Sequence, residues 1–444
     1  MKSLARIAVA LLLLSICPLL PAGQPAFSTG KFGPTSWSEW AARPALKPDC
    51  DVDKAATRWI VLGNGKPGRH GGWELEWPRV KPRQWYRFEV DCDAWKIASV
   101  HDNAHVELNF WKDDSKRSNW HHVEFQRSSS GLVRFSCLAQ APEDTQKVTA
   151  RLMLRWTDKG RLSWTNPKLI PVDAPPERKI KAAIITGKPP GTSVAANMAF
   201  TLKLIREAAK AGAQVICLPE VITSWRIKDA EKETARPIPG TETRQLEAIA
   251  RELNVDVALS MSEIDKDGLI YNTALYLDAK QGIIGKYRKV HLAVGERWRG
   301  ITPGVEFPVW ETGYGKAGML VCYDNVHAEG HRILSQKGAE VIYLPIMGDP
   351  RAVGDRAYEK WLQIMSVRAM DNHVWMVVCQ NNGDRGVIVR PDGEIITKVD
   401  PGNGFAMTEI DLNFRYKSWI GSDFRNRNWG ERRPHLYGEL IKDR

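Results

Sequence analysis

Three stretches of this 444-residue chain end an apolar run on a side chain that can do chemistry. Val215-Ile-Cys-Leu-Pro-Glu220 ends on a carboxylate. Gly285-Lys-Tyr-Arg-Lys289 ends on an ammonium, and Gly318-Met-Leu-Val-Cys322 on a thiol. Where such runs are strands of an α/β fold, ligands collect beyond their carboxyl ends. A thiolate is a nucleophile once its proton is removed. Glu220 can take that proton and return it to a leaving amine. Lys289 supplies a fixed positive charge beside a tetrahedral oxyanion, and the backbone N–H of Tyr323 is a second donor to it. A helix beginning near His327 adds a partial positive charge. Singly, each residue has an ordinary reading. A strand-end cysteine is usually a small buried hydrophobe, as Cys217 and Cys379 read. A glutamate after Leu-Pro is a loop carboxylate, and a lysine among basic neighbours is solvated. The set, not any one member, points to catalysis.

The elements that must hold these groups follow from periodicity. Ile180–Ile185 is a short apolar run, and Met198, Leu202, Ile205 and Ala209 follow with helical spacing. Val215–Leu218 reads as a strand. Leu246, Ile249 and Leu253 mark a helix, and Val255–Ser260 the next strand. Tyr271–Leu277 and Ile283–Tyr287, joined across Gln281-Gly282, read as a hairpin. Val341–Leu344 and Val374–Cys379 read as further core strands, each preceded by a helix. Residues 179–412 are therefore an α/β domain with a mixed sheet.

The chain before residue 171 has another grammar. Tyr86, Phe88 and Val90, then Val106, Leu108 and Phe110, then Leu152, Leu154 and Trp156 alternate with period two. Residues 31–170 thus predict an antiparallel β-sandwich with one solvated face per sheet. Pro171, Pro175 and Pro176 mark a linker at 171–178. Eleven of the 18 tryptophans precede it. They read either as core rings or as a ligand-binding face.

Lys2 and Arg6, the apolar run Ile7–Leu20 and the small residues near Ala26 have the order of parts of a secretory signal peptide at 1–26. The chain is then secreted or periplasmic. Cys17 follows Ile16, a poor fit to a lipoprotein site. Cys50, Cys92 and Cys137 leave room for one disulfide, with the pairing open. The absence of a CxxC pair argues against a structural zinc site. His327 and His331 stand four apart and read as two helix-surface histidines. The formal charge of +11 is spread along the chain, so it reads as solvated surface and no nucleic-acid partner is expected. The tail 413–444, with eight basic and four acidic residues, reads as a segment packing on the α/β domain or on a dimer partner.

Residues 179–412 resemble the nitrilase superfamily of carbon–nitrogen hydrolases. The resemblance rests on Gly212–Glu220, Gly285–Leu292 and Gly318–Asp324 in that order. Tyr271-Asn272-Thr273-Ala274, Arg368–Asn372 and Pro391-Asp392-Gly393 support it. It implies a four-layer αββα sandwich and a triad of Glu220 as general base, Lys289 as stabiliser and Cys322 as nucleophile. Glu296 stands where many members carry a second glutamate, to orient substrate or hold Lys289. Asn272, His291, Asp324 and Glu329 are candidate substrate-pocket residues. No metal or other cofactor is implied, and a homodimer is expected by analogy. Cys322-Tyr-Asp is similar to the amidase branches rather than to nitrilases proper, so a small amide substrate is expected. Val326 stands where carbamoyl-type members carry an arginine. Arg297, Arg299 and Arg351 are possible substitutes. The N-terminal half resembles a galactose-binding-like jelly roll, through Gly71-Gly72-Trp73 and Gln84-Trp85-Tyr86, which suggests polysaccharide binding. The alternatives are a nitrilase and an inactive carbohydrate-binding or matrix protein.

Overall fold

The computed structural model describes residues 30–127, 131–227, 231–347, 355–381, 386–399, 404–416 and 424–442. The signal-peptide reading, Cys17 and Arg351 fall outside them. The chain groups into two compact units, Met1–Pro175 with Lys417–Arg444, and Pro176–Tyr416.

In the first unit the strands are β1 (Ser36–Ala41), β2 (Asp49–Asp53), β3 (Arg58–Leu62), β4 (Arg69–Trp77) and β5 (Trp85–Trp95). They continue with β6 (Ala104–Trp111), β7 (Arg117–His122), β8 (Glu124–Arg127), β9 (Val133–Gln140), β10 (Lys147–Thr157) and β11 (Arg161–Val172). A single-turn helix α1 (Val100–Asn103) precedes β6. They form a five-stranded sheet, β1-β4-β10-β6-β7, and a six-stranded one, β2-β3-β11-β5-β9-β8. The alternating residues do what their period requires. Phe88, Val90, Val106, Leu108, Phe110, Leu152 and Leu154 are buried in one core.

Trp156 departs from the alternation. The β10 register slips between Arg155 and Thr157, and Trp156 takes a left-handed φ of 57°. That bulge turns its ring outward, where the guanidiniums of Arg155 and Arg433 lie over it. Four other tryptophans, Trp59, Trp73, Trp77 and Trp164, are core. Cys50, Cys92 and Cys137 are separate thiols. Cys137 pairs in register with Phe88, so Cys92 stands four residues along the neighbouring strand. That is about 13 Å, too far for a disulfide. Cys50 is on β2, three strands from β5.

Two boundaries differ from the sequence reading. Pro171 and Val172 belong to β11, paired with Tyr86 and Trp85. The proline is tolerated because β3 pairs only with Arg161–Trp164, so no β3 ladder bond needs an N–H at residue 171. The tail divides: Phe414 packs on the α/β core against Trp375, and the residues from Lys417 on group with the sandwich. Its helix (Phe424–Gly430) and the turn after it lie on the sandwich. His435 Nδ1 meets Asp102 at 2.9 Å, Arg155 donates to Gly430 O at 3.0 Å, and His101 Nε2 meets Arg432 O at 2.8 Å. Asp102 and Arg155 are buried charges, and the tail supplies partners that a bare sheet end lacks.

The second unit holds β12 (Lys179–Ile185), β13 (Val215–Cys217), β14 (Asp256–Ile264), β15 (Ile270–Asp278) and β16 (Gly282–Arg288). Then come β17 (Val309–Thr312), β18 (Gly315–Met319), β19 (Val341–Ile346), β20 (Trp375–Gln380), β21 (Val387–Val389), β22 (Ile395–Lys398) and β23 (Phe405–Asp411). The helices are α2 (Val194–Lys210), α3 (Glu231–Thr234), α4 (Thr241–Leu253), α5 (Val294–Trp298), α6 (Ala328–Gln336) and α7 (Asp355–Asn372). Two mixed six-stranded sheets, β16-β15-β14-β13-β12-β23 and β17-β18-β19-β20-β21-β22, face each other through β12, β13, β14, β19 and β20. Helices α2 and α4 cover the first sheet, and α6 and α7 lie by the second. Strands buried on both faces explain the unbroken apolar runs.

Candidate active site

Glu220 follows β13 by a Leu-Pro step. Leu218 N–H donates to Ala258 O at 2.7 Å, and Asn381 Nδ2 donates to Glu220 O at 3.1 Å, so the backbone is pinned on both sides. Its carboxylate is buried. Oε1 accepts from Asn272 Nδ2 at 2.7 Å and from Lys289 Nζ at 3.0 Å, and Oε2 accepts from Met347 N–H at 2.5 Å.

Lys289 is the residue after β16, and its ammonium is also buried. It lies 3.0 Å from Glu220 and 2.8 Å from Glu296 Oε2. Glu296 sits in the first turn of α5, where Oε2 also accepts from Ala293 N–H at 2.8 Å. Asn272 on β15 divides its amide hydrogens between Glu220 and Glu296, the latter at 2.9 Å. Ser260 Oγ holds Asn272 Oδ1 at 3.1 Å and receives Val221 N–H at 2.9 Å. One ammonium between two carboxylates is thus fixed by strands, an amide and a helix cap. Of the two options for Glu296, the contacts favour holding Lys289.

Cys322 is not the last residue of a strand. Strand β18 stops at Met319, and Cys322 opens a 3-10 turn, Cys322–Val326, with a left-handed φ of 46°. A non-glycine residue there is strained and must be held by its surroundings. Asp324 does much of the holding. Its Oδ2 accepts from Val321 N–H at 2.9 Å and Tyr287 Oη at 2.8 Å, while Oδ1 accepts from His291 N–H at 2.8 Å. His291 Nδ1 is 2.9 Å from the same oxygen. The Sγ of Cys322 points to Met347 O at 3.5 Å.

Glu220, Lys289, Asn272, Glu296 and Cys322 line one cavity of about 790 Å³, with Met347. Burial raises the pKa of Glu220, and Lys289 only partly offsets this. Burial works to lower that of Lys289, but Glu220, Cys322 and Glu296 outweigh it and hold the ammonium charged. Burial and the Glu220 carboxylate push the Cys322 thiol well above its usual value, against the pull of Lys289. Cys322 thus rests as a thiol beside a carboxylate that could accept its proton.

Not every predicted pocket residue is in the cavity. His291 and Asp324 stand behind the Cys322 turn as its supports. Glu329 is an exposed residue of α6. Arg299 lines the cavity, as does Arg226, which carried no sequence signal. His331 is a buried residue rather than a surface one, with Nδ1 3.3 Å from His327 O. The ring of His327 stacks on His291 at 4.0 Å. Sequence reasoning also missed Met347, Asn381, Ser260 and Tyr287. Met347 acts only through its backbone, which leaves no trace in residue type.

The family model described as carbon-nitrogen hydrolase matches residues 181–418, over half of the chain. The chain belongs to the carbon–nitrogen hydrolase family. This hydrolase is 31% identical over 250 residues to a nitrilase of Pyrococcus abyssi, spanning 52% of this chain and 90% of that one. It is 30% identical over 235 residues to omega-amidase NIT2 of Xenopus tropicalis, spanning 49% of this chain and 84% of that one. The crystal structure of a carbon–nitrogen hydrolase from Helicobacter pylori G27 shares its fold, with a TM-score of 0.50 at 22% identity over 60% of this chain and 99% of that one. The family match at 181–418 begins after β11, so the strands β1–β11 lie outside it.

Proposed function

We propose that this hydrolase is an exported amidase that cleaves a non-peptide C–N bond through a thioester on Cys322. The observation that carries the reading is the shared cavity of Glu220, Lys289 and Cys322, with Glu296 and Asn272 bracing the first two. Glu220 accepts the Sγ proton as sulfur bonds to the amide carbon. The carbonyl oxygen becomes an oxyanion near Lys289 and the Tyr323 N–H, which lies in the first turn of a 3-10 helix where amides lack intrahelical partners. Glu220 then gives the proton to the nitrogen, and ammonia or an amine leaves. Water, deprotonated by Glu220, attacks the thioester, and the acid departs as Sγ is reprotonated. Metal chemistry is not needed by this sequence of steps.

The amidase branch is favoured over a nitrilase by Cys322-Tyr-Asp and by likeness to an omega-amidase, although a nitrilase is also among the relatives. Matched amide and nitrile substrates, assayed for ammonia, test it. Faster release from amides is expected. A strong preference for nitriles overturns the amidase reading, and no release from either, with Cys322 unlabelled by an electrophile, supports an inactive protein. Export rests on the N-terminal pattern at 1–26, and loss of that segment from protein recovered outside the cytoplasm is the expected result. A homodimer is proposed by family analogy, to be read from the mass in solution.

A further inference from the structure

Two buried thiols lie where the facing sheets of the α/β unit meet, and the proposed hydrolysis uses neither. Cys217 ends β13, and Cys379 is the penultimate residue of β20. Both are fully buried. Each reaches the sheet opposite its own. Cys217 Sγ lies 3.7 Å from Val377 O on β20, and Cys379 Sγ lies against Ile185 O at the end of β12. Register pairs Ile184 of β12 with Cys217, so Ile185 is its diagonal neighbour. The two sulfurs therefore share one gap, and the thiols are in hydrogen-bond contact. Cα atoms of β13 and β20 approach within 8 Å. A disulfide spans roughly 4.4–6.8 Å between Cα atoms, so side-chain rotation with a small local movement closes it.

Among the described residues, these are the two cysteines whose thiols meet. Cys92 and Cys137 stand too far apart, and Cys322 turns its thiol to Met347 O in the cavity. The place of the pair gives a link its consequence. Cys217 stands three residues before Glu220. Cys379 stands two before Asn381, whose amide holds Glu220 O at 3.1 Å. A bond between them joins the two strands that fix the Glu220 backbone. Burial pushes the Cys379 thiol well above its ordinary value, and the neighbouring Cys217 adds to this. A buried thiol of that kind is a poor nucleophile. Exchange therefore belongs to the folding chain, before the sheets close over the pair. The closed loop from residue 217 to residue 379 is long, the case in which a cross-link restrains the unfolded chain most.

We propose that Cys217 and Cys379 become a disulfide in the exported protein, formed by exchange with an external disulfide while the chain folds. One cysteine thiolate attacks the external disulfide, R–S–S–R, which gives a mixed disulfide and releases one R–S⁻. The second cysteine thiolate displaces the other R–S⁻. The two cysteines are oxidised, the external disulfide is reduced to two thiols, and the two cysteine protons pass to them through solvent. The proposal rests on the export reading, because a reducing compartment keeps such residues as thiols.

The test is thiol mapping of the protein recovered from outside the cytoplasm. It is denatured, alkylated with iodoacetamide with or without prior reduction, and digested for mass analysis. The peptides of Cys217 and Cys379 should appear joined, two hydrogens lighter than their sum, and should separate with both cysteines alkylated only after reduction. Cys322 should be alkylated in both samples. Reductant should lower the thermal midpoint by about 5 °C or more, and leave that of Cys217→Ala/Cys379→Ala where it is. If the double variant misfolds, the joined peptides alone decide. Separate, alkylated Cys217 and Cys379 peptides before reduction overturn the proposal, as does a link from either to another cysteine or a parent midpoint indifferent to reductant. Retention of residues 1–26 in a cytoplasmic product counts against export instead, and the same chain behind a foreign export signal then tests the disulfide by itself.

Discussion

At the scale of residues, the site works by keeping one ammonium between two carboxylates and one thiol neutral. Cys322→Ala removes the proposed nucleophile, and kcat should fall roughly 10⁴-fold or more with the fold intact, read by ammonia release and circular dichroism. Lys289→Met leaves Glu220 and Glu296 facing each other without a cation, and stability should drop by about 3–5 kcal/mol in denaturant titration, along with activity. The pH behaviour follows from shift directions. Glu220 is raised, so the acid limb of kcat/KM should lie above the 4.5 of an ordinary glutamate. The folded state holds protons on Cys322 and Lys289 that the unfolded chain releases from about pH 9.0 and 10.5, respectively. Above pH 9 the unfolded state therefore binds fewer protons, and stability falls as pH rises. Cys322→Ala should soften the onset of that fall, measured as the unfolding midpoint against pH.

Elements explain why some of this was legible and some was not. Glu220 and Lys289 each follow a strand whose apolar run is visible in the sequence, so their placement could be read. Cys322 looked like a strand end but sits three residues further on, in a turn whose left-handed φ no periodicity reports. Asp324 carries that turn. It reads as a pocket residue by position and is instead a buried support for Val321, Tyr287 and His291. Asp324→Ala should lower kcat by about 10²-fold by loosening Cys322, and destabilise the unit by about 2–4 kcal/mol. A substrate-contacting role would instead raise KM with stability unchanged. Glu263 is a comparable case away from the site. It binds Thr273, Lys286 and Arg288 at 2.6, 3.0 and 2.8 Å, tying β14 to β15 and β16, and nothing in its sequence neighbourhood announces this.

Across the whole molecule, the two halves were distinguishable because period-two alternation and buried apolar runs are different signatures. The path of the tail was not, because its anchors are single polar contacts far apart in sequence, such as His435 with Asp102. Truncation after Tyr416 removes the partners of Asp102 and Arg155, so the sandwich should unfold at lower temperature while ammonia release at moderate temperature persists. Calorimetry on the full and shortened chains checks this. Equal midpoints would mean that water replaces the tail without cost.

The central claim is that Cys322 carries the acyl group. Acid-quenching the full-length protein during turnover of a slow amide, then mass analysis of its peptides, reads this directly. The account predicts an increase equal to the acyl group on the peptide containing Cys322, absent after Cys322→Ala together with activity. Unmodified Cys322 during turnover, with ammonia release surviving that substitution, would contradict it.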